Sequence, residues 1–284
     1  MHQLPAAFRE LAEGFYRPLA GQVAKRVMCG DVRVLGVSGA QGSGKSTFAE
    51  YVAELLRRDQ GLTVVCLSLD DFYLTKAERE LLVQQVHPLL ATRGVPGTHD
   101  VQLASNVITG LLAGESVAIP RFDKSTDDRV CAERFEISDG KVDLIILEGW
   151  CVGARTQPQE ALEEPINELE RLEDANASWR AYVNSALASQ YAELFSQIDY
   201  LILLHAPNFE CVYQWRRMQE QKLRDNVGDK MELMDDQSLH RFIMHYERIT
   251  RACLSELPAI ADAVLELNLE HGVDSLSYKD CQAS

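Results

Sequence analysis

One stretch near the amino terminus decides the fold: Gly39-Ala40-Gln41-Gly42-Ser43-Gly44-Lys45-Ser46. It matches the pattern G-x-x-x-x-G-K-[ST] at every fixed position. The apolar run Val32 to Val37 precedes it, and a helix-like segment, Thr47 to Arg58, follows. Glycines let successive backbone N–H groups point inward around a phosphate, and the following helix directs its positive end at the same anion. The stretch therefore predicts a nucleotide phosphate-binding loop between a strand and a helix.

The residue types in this loop also suggest how it binds ATP. We expect Lys45 to reach the β- and γ-phosphates and the Ser46 hydroxyl to ligate Mg²⁺. The expected nucleotide-binding residues run without a gap through the loop into the next helical turn: Gly39, Ala40, Gln41, Gly42, Ser43, Gly44, Lys45, Ser46 and Thr47. A chance glycine-rich turn would lack the flanking strand and helix.

Apolar runs alternate with helical patterns along the whole chain. The expected strands are Val32 to Val37, Thr63 to Leu69, Val117 to Ile119, Val142 to Leu147, Tyr200 to His205 and, more weakly, Ala263 to Leu267. Such alternation predicts an α/β fold of three layers, α/β/α, around a mainly parallel sheet. We therefore expect a single P-loop NTPase domain over residues 1–284. At its amino-terminal end, Leu4, Phe8, Leu11 and Phe15 predict an amphipathic helix that stops before Pro18.

Composition excludes several classes of protein. The 284 residues carry a formal net charge of −15, which speaks against nucleic acid as the main partner. No stretch approaches the ~20 apolar residues of a membrane span, and residues 1–30 lack a secretory pattern, so we expect a cytoplasmic protein. The seven cysteines form no C-x-x-C pair, which argues against a disulfide framework or zinc site.

Acidic residues follow two of the expected strands. Thr63 to Leu69 leads into Asp70-Asp71-Phe72-Tyr73, and Val142 to Leu147 leads into Glu148. Ligands of open α/β sheets gather at the carboxyl ends of strands. We expect Asp70 to accept the proton of an attacking hydroxyl and Glu148 to hold Mg²⁺. Asp71 is a candidate for a contact to substrate or, through water, to metal. The alternatives are an Asp pair that caps a turn and a Glu148 that activates water in an ATPase.

Two loop segments, residues 87–100 and 120–129, gather basic and polar side chains in an otherwise acidic protein. Arginine forks suit carboxylates and phosphates, so an anionic acceptor would explain the collection. The expected acceptor-side residues are Asp71, Tyr73, Arg93, His99, Asp100, Lys124 and Arg129. The alternative is surface ion pairing with Asp123, Asp127 and Asp128.

Two further segments are helical by pattern. The first, about 209–226, contains Arg216, Arg217, Lys222 and Arg224. It predicts a lid that brings one arginine, Arg216 or Arg217, to the γ-phosphate, unless these cations only cover a solvated face. The second, an insertion at about 155–178, is strongly acidic from Glu160 to Asp174. It predicts either a partner-binding element or a solvated connection between strands.

Four motifs resemble those of the plant-type D-glycerate 3-kinases: Ser68-Leu69-Asp70-Asp71-Phe72-Tyr73-Leu74-Thr75, Arg93-Gly94-x-x-Gly97-Thr98-His99-Asp100, Phe122-Asp123-Lys124-Ser125 and Leu147-Glu148-Gly149-Trp150. The resemblance runs from about Val32 to Tyr246. It implies transfer of the ATP γ-phosphate to the 3-hydroxyl of D-glycerate. More distantly the arrangement is similar to uridine kinase, pantothenate kinase and phosphoribulokinase, in which an aspartate matching Asp70 is the base.

The chain departs from the plant-type pattern at one place. Only Thr126 and Asp127 separate Lys124-Ser125 from Asp128-Arg129, where that pattern has a longer, glycine-containing stretch. Other small-molecule kinases (with a nucleoside, pantothenate-like or sugar-phosphate acceptor) and a non-catalytic ATP-binding protein stay open as alternatives.

Overall fold

The computed structural model describes residues 6–227 and 235–279. Its strands, in chain order, are β1 (Val34–Gly39), β2 (Val64–Ser68), β3 (Val117–Ile119), β4 (Phe122–Asp123), β5 (Asp128–Arg129), β6 (Glu136–Ser138), β7 (Leu144–Gly149), β8 (Tyr200–His205), β9 (Ala263–Leu267) and β10 (Val273–Tyr278). Its α-helices are α1 (Ala6–Leu11), α2 (Arg17–Cys29), α3 (Lys45–Gln60), α4 (Lys76–Gln85), α5 (Val101–Ala113), α6 (Glu168–Glu173), α7 (Ser178–Ala186), α8 (Ala192–Phe195), α9 (Phe209–Val227) and α10 (Asp236–Glu256). Among the helices of these described ranges, none combines the length and the apolar character that a membrane span requires.

The central sheet has the strand order β10-β9-β8-β1-β7-β2. All neighbours pair in parallel except β10, which runs antiparallel to β9 at one edge. Glu148 of β7 lies opposite Val37 of β1 and also opposite Ser68 of β2. The carboxyl ends of β1, β7 and β2 therefore meet at one edge of the sheet, with β7 in the middle.

Apolar side chains cover both faces of this sheet. Leu35 and Val37 of β1 pack with α2 and α3 on one face, whereas Val34 packs with α5 and α7 on the other. β1 is buried along its whole length, as its unbroken apolar run requires in a parallel sheet covered on both faces. The predicted three-layer α/β/α fold is confirmed.

One predicted strand lies outside the central sheet. Val117–Ile119 pairs antiparallel with β6 in a separate two-stranded sheet. Only Ile119 of its three residues is buried, and Pro120 follows without an N–H to continue a ladder. The prediction of a third strand in the main sheet is therefore wrong. The antiparallel edge strand β10 was not predicted.

The amino-terminal helix does not stop before Pro18, contrary to the prediction. A π-helical turn, Ala12–Tyr16, joins α1 to α2, and the Arg17 N–H closes it on the Ala12 carbonyl. Pro18 then falls in the first turn of α2, directly after the π-helical turn, and the chain stays helical through it.

The acidic insertion is more than a solvated connection. The Arg248 guanidinium of α10 pairs with both oxygens of buried Glu170, at 2.7 and 2.6 Å. Buried Asp174 accepts a hydrogen bond from Arg180 Nη1 at 2.9 Å. Because the charges are paired and hydrogen-bonded, they tolerate loss of water, and the insertion is clamped onto α10 and α7.

Candidate active site

The loop of residues 39–46 joins β1 to α3 and has the backbone that a phosphate-binding loop needs. Gly42 and Gly44 have φ angles of +82° and +85°, a region that side chains disfavour. A Cβ at Gly42 would lie 2.8 Å from the Cβ of Trp215, so α9 packs directly on the loop. The His271 Nε2 atom lies 2.9 Å from the Gly42 carbonyl oxygen, which ties the loop to the turn before β10.

Glu148 stands beside the first turn of α3. The Ser46 hydroxyl donates to Glu148 Oε1 at 2.9 Å. The other oxygen, Oε2, is buried and has no hydrogen-bond partner in the described part of the chain. A hydroxyl and a carboxylate with a spare buried oxygen are ligands that Mg²⁺ accepts next to nucleotide phosphates. Ser46 and Glu148 therefore fit the predicted metal site.

Asp70 lies just beyond β2, on the far side of Glu148 from the loop. Its Oδ1 accepts from the Tyr73 hydroxyl and its Oδ2 from Lys124 Nζ, both at 2.6 Å. Burial alone would raise the pKa of Asp70, but the charges of Lys124 and Lys45 outweigh it and hold the pKa at about 2. The carboxylate is thus ionised at neutral pH, with one ammonium against it and the phosphate-loop ammonium near it.

Asp71 anchors the hairpin formed by β4 and β5. Its Oδ2 accepts from Arg121 Nη1 at 2.8 Å and its Oδ1 from the Phe122 N–H at 3.1 Å. Both oxygens are therefore engaged within the protein. The arrangement gives Asp71 an anchoring role, and its contact to substrate or metal stays a prediction.

The short turn of this hairpin collects two arginines. Asp127 has a φ of +55° and pairs through its carboxylate with Arg93 and Arg79. Arg79, buried on α4, also donates to the carbonyl oxygens of Leu74 and Ala91 at 3.3 and 3.0 Å. Asp127 lies in the stretch between Ser125 and Asp128 that is shorter than in the plant-type pattern. Its ion pairs therefore clamp the hairpin to the segment around Arg93.

Two aromatic side chains hold the backbone of the acceptor-side segment at Arg93 and Gly94. The Tyr246 hydroxyl donates to the Arg93 carbonyl at 2.6 Å, and Trp150 Nε1 donates to the Gly94 carbonyl at 2.9 Å. Gly94 has a φ of +110°, and a Cβ there would lie 2.7 Å from the Tyr246 hydroxyl. A glycine is therefore required where the two aromatics meet the loop.

His99 is buried beneath Tyr73. The two rings lie 4.8 Å apart, and His99 Nδ1 contacts the Tyr191 hydroxyl. Burial lowers the pKa of His99 to about 4, although the charge of Asp70 opposes the shift. His99 is therefore neutral at physiological pH. Its ring packs against Tyr73, whose hydroxyl donates to Asp70, so Tyr73 lies between His99 and Asp70.

Asp100 and Arg129 fasten neighbouring segments together. Asp100 caps α5 by accepting the Leu103 N–H at 3.0 Å. Arg129 Nη2 donates to the Tyr73 carbonyl at 2.9 Å and lies 3.4 Å from Asp100 Oδ2. Its Nε is buried without a partner among the described residues. Both residues lie in the acceptor-side group, and their contact to substrate stays a prediction.

The arginines of α9 point in different directions. Arg217 pairs with Asp236 at the surface, at 3.0 Å. Arg216 lies over the ring of Phe242, 5.9 Å from its centroid, and its backbone nitrogen is within 3.5 Å of the position a Gly42 Cβ would take. The Arg216 backbone thus lies next to the phosphate loop, while its Nη1 donates to Gln219 Oε1 at 3.1 Å. The side chains of Lys222 and Arg224 lie outside the described residues.

The structure therefore gathers most of the predicted residues along one edge of the sheet. Sequence reasoning missed several residues that shape the site: Arg79, Asp127, Tyr191, Tyr246 and His271. Arg79 and Tyr246 look like ordinary members of amphipathic helices, so no local signal marks them. Asp127 was treated only as a surface ion-pair partner. A cavity of about 580 Å³ is lined in part by residues 153–156, and none of the predicted site residues lines it.

Comparison with known proteins assigns the chain to a family. An uncharacterized kinase of Schizosaccharomyces pombe, mug58, is 36% identical over 230 residues, which cover 75% of this chain and 78% of that protein. The chloroplastic D-glycerate 3-kinase of Arabidopsis thaliana is 27% identical over 237 residues, 80% of this chain and 48% of that protein. The chain belongs to the D-glycerate 3-kinase family of P-loop kinases. No protein-family model matches it.

A solved structure of a D-glycerate 3-kinase shares the fold of this chain. The D-glycerate 3-kinase of Cryptococcus neoformans var. grubii superposes with a TM-score of 0.75 over 92% of this chain and 99% of that one, at 24% identity. This likeness confirms the fold. The sequence relatives identify the chain as an ATP-dependent phosphotransferase of the glycerate 3-kinase type.

Proposed function

We propose that this kinase transfers the γ-phosphate of ATP to a hydroxyl of a small sugar acid, and that the acceptor is D-glycerate, giving 3-phosphoglycerate and ADP. The observation that carries the proposal is Asp70, an ionised carboxylate between Tyr73 and Lys124 and near Lys45. This arrangement places a carboxylate that can hold an acceptor hydroxyl beside Lys124, a cation for an anionic acceptor, and Lys45, a cation for the phosphates.

On the nucleotide side, residues 39–47 would hold the phosphates of ATP through backbone N–H groups, and Lys45 would neutralise their charge. Ser46 and Glu148 would hold Mg²⁺, whose charge screens the phosphate oxygens when it is bound. The backbone of Arg216 on α9 adjoins the loop. We assign Arg216 the role of stabilising charge on the transferred phosphoryl group.

On the acceptor side, Lys124 is the residue that an anionic substrate would engage first. Its side chain is 59% exposed and its ammonium now rests on Asp70. A substrate carboxylate would draw Lys124 toward itself and free Asp70 Oδ2 for the acceptor hydroxyl. Arg93, His99, Asp100 and Arg129, with Asp71 and Tyr73, would complete the acceptor pocket within the single domain over residues 1–284. The cytoplasmic location stays a prediction.

The test is ADP release in the presence of ATP, Mg²⁺ and single candidate acceptors. D-glycerate, L-glycerate, other sugar acids, nucleosides and pantothenate form the panel, with Lys45→Ala as the control. We expect D-glycerate to stimulate ADP release strongly and Lys45→Ala to lose it by orders of magnitude. Stimulation by a nucleoside or pantothenate instead would replace the acceptor, and no stimulation by any member would contradict the proposed activity.

A further inference from the structure

The Tyr191 hydroxyl lies between the ring of His99 and the backbone of the acceptor-side loop, which is the segment of residues 87–100. The Gly97 N–H donates to the Tyr191 oxygen at 3.1 Å, and the same hydroxyl contacts His99 Nδ1. Tyr191 and His99 are both buried, with at most 3% of either residue's surface exposed. Because water is excluded, the neighbouring protein groups decide the direction of each hydrogen bond.

That direction can be worked out atom by atom. The Gly97 N–H takes one lone pair of the Tyr191 oxygen, and burial raises the pKa of Tyr191 well above its usual value, so the hydroxyl keeps its proton. Within residues 6–227 and 235–279, His99 Nδ1 is the only acceptor recorded for that proton. The hydroxyl therefore donates to Nδ1. A neutral imidazole carries one N–H, so the proton of His99 is on Nε2.

The Nε2–H group is a donor in want of an acceptor. It is buried and makes no hydrogen bond within the described chain. The His99 ring packs against Tyr73, whose hydroxyl donates to Asp70 Oδ1 at 2.6 Å. The unpaired Nε2–H of His99 therefore lies in the same packed cluster as Asp70, whose carboxylate would receive the acceptor hydroxyl. Unpaired buried donors are uncommon, and a ligand can supply the missing partner.

We propose that Tyr191 is a positioning residue that fixes His99 as the Nε2–H tautomer, and that an oxygen atom of the acceptor substrate accepts the hydrogen bond from Nε2. The inference rests on the proposed function. A histidinium would attract any anion, whereas a neutral N–H requires an oxygen at a defined place. The pocket would thereby select an acceptor by the position of a hydroxyl or carboxylate oxygen as well as by charge.

The local helix geometry explains how Tyr191 reaches this place. Leu187–Tyr191 forms a π-helical turn between α7 and α8, and such turns recur at functional sites. The wider turn shifts the side chains that follow relative to a regular α-helix. Tyr191 thereby meets both Gly97 and His99, two residues apart on the acceptor-side loop.

The tautomer can be measured without any substrate. Nitrogen-15 NMR of the imidazole groups, in the histidine-labelled full chain at pH 7, distinguishes the two neutral tautomers and the cation. The resonances absent from His99→Leu identify His99. We expect the Nε2–H pattern in the wild type and its loss or mixing in Tyr191→Phe. An Nδ1–H tautomer or an imidazolium in the wild type would overturn the proposal.

Kinetics then test whether Tyr191 acts through His99. Tyr191→Phe should raise the KM for the acceptor roughly three- to tenfold, with the KM for ATP unchanged. In a His99→Leu background, Tyr191→Phe should add no further increase. An equal increase in both backgrounds would show that Tyr191 acts on Gly97 alone and would overturn the inference.

Tyr182 provides the matched control. Its ring packs against Gly97 and its hydroxyl lies 3.4 Å from the Gly97 carbonyl oxygen, yet no contact with His99 is recorded for it. Tyr182→Phe should leave the His99 tautomer unchanged. If the acceptor panel fails while NMR finds the Nε2–H tautomer, the proposed function falls and the tautomer assignment stands. If the panel succeeds and NMR finds another form, only the present inference falls.

Discussion

Asp70 is a carboxylate whose charge is maintained by its neighbours. Burial favours the protonated form, but Lys124, Lys45 and the Tyr73 hydroxyl stabilise the anion and hold the pKa at about 2. Such a low pKa makes a weak base for an unreacted alcohol. Phosphoryl transfer has a loose transition state, however, so the acceptor hydroxyl becomes strongly acidic only as the new bond forms. A carboxylate that mainly orients the hydroxyl and accepts its proton late is adequate.

Replacing Lys124 tests this electrostatic arrangement. In Lys124→Met the pKa of Asp70 should rise, because the largest stabilising charge on the anion is lost. In the wild type, a pKa of about 2 lies below the ordinary 3.8, so ionised Asp70 stabilises the fold above about pH 4. That contribution disappears as the pH falls toward 2. The variant should shift the loss to higher pH and raise the KM for an anionic acceptor about tenfold or more.

Acid unfolding followed by circular dichroism, together with acceptor kinetics, measures both effects. Lys141→Met is the control, because Lys141 is exposed and has no ion pair recorded in the described chain. An unchanged acid-unfolding midpoint and an unchanged acceptor KM in Lys124→Met would contradict the arrangement.

At the scale of elements, Arg79 joins three pieces of chain that are distant in sequence. From α4 it donates to the carbonyls of Leu74 and Ala91 and to the backbone and carboxylate of Asp127. The segment before α4, the loop that leads to Arg93 and the turn of the β4–β5 hairpin thus share one guanidinium. The acceptor-side walls of the site are positioned by this shared contact rather than by the central sheet.

Arg79→Met should therefore destabilise the protein by about 3 kcal/mol, because buried carbonyls lose their donors. Arg79→Lys should recover little, since one ammonium cannot serve carbonyls in several directions. Urea unfolding gives the free energies, and Arg134→Met, an exposed arginine with no ion pair recorded in the described residues, is the control. Equal free energies of unfolding for Arg79→Met and this control would show that the clamp is unimportant.

Across the whole molecule, the parts predicted from sequence are those with a local signature. The phosphate loop is recognised by the spacing of its motif, and the parallel strands by their apolar runs. The sheet and the positions of Asp70 and Glu148 at its edge could therefore be predicted. Val117–Ile119 was misplaced because pairing partners are set by tertiary contacts. Likewise, the buried pairs of Glu170 and Asp174 depend on arginines about 78 and 6 residues away along the chain.

The charge distribution also belongs to the whole molecule. The chain has a net charge of −15, yet Lys45, Lys124, Arg93 and Arg129 lie at or near the carboxyl edge of the sheet. An acidic surface repels anions in general, so these cations mark the place where a nucleotide and an anionic acceptor would be accepted. Sequence alone indicated the collection, and the fold shows that Lys45 and Lys124 both act on the Asp70 carboxylate.

The most direct test of the account is the turnover of Asp70→Asn with saturating ATP, Mg²⁺ and D-glycerate. The substitution keeps the shape of the side chain and removes its charge and its capacity to accept the proton. We predict that kcat falls about 100-fold or more, while the dissociation constant for ATP changes less than about threefold. Wild-type kcat in this variant would contradict the claim that Asp70 orients and deprotonates the acceptor opposite Lys45.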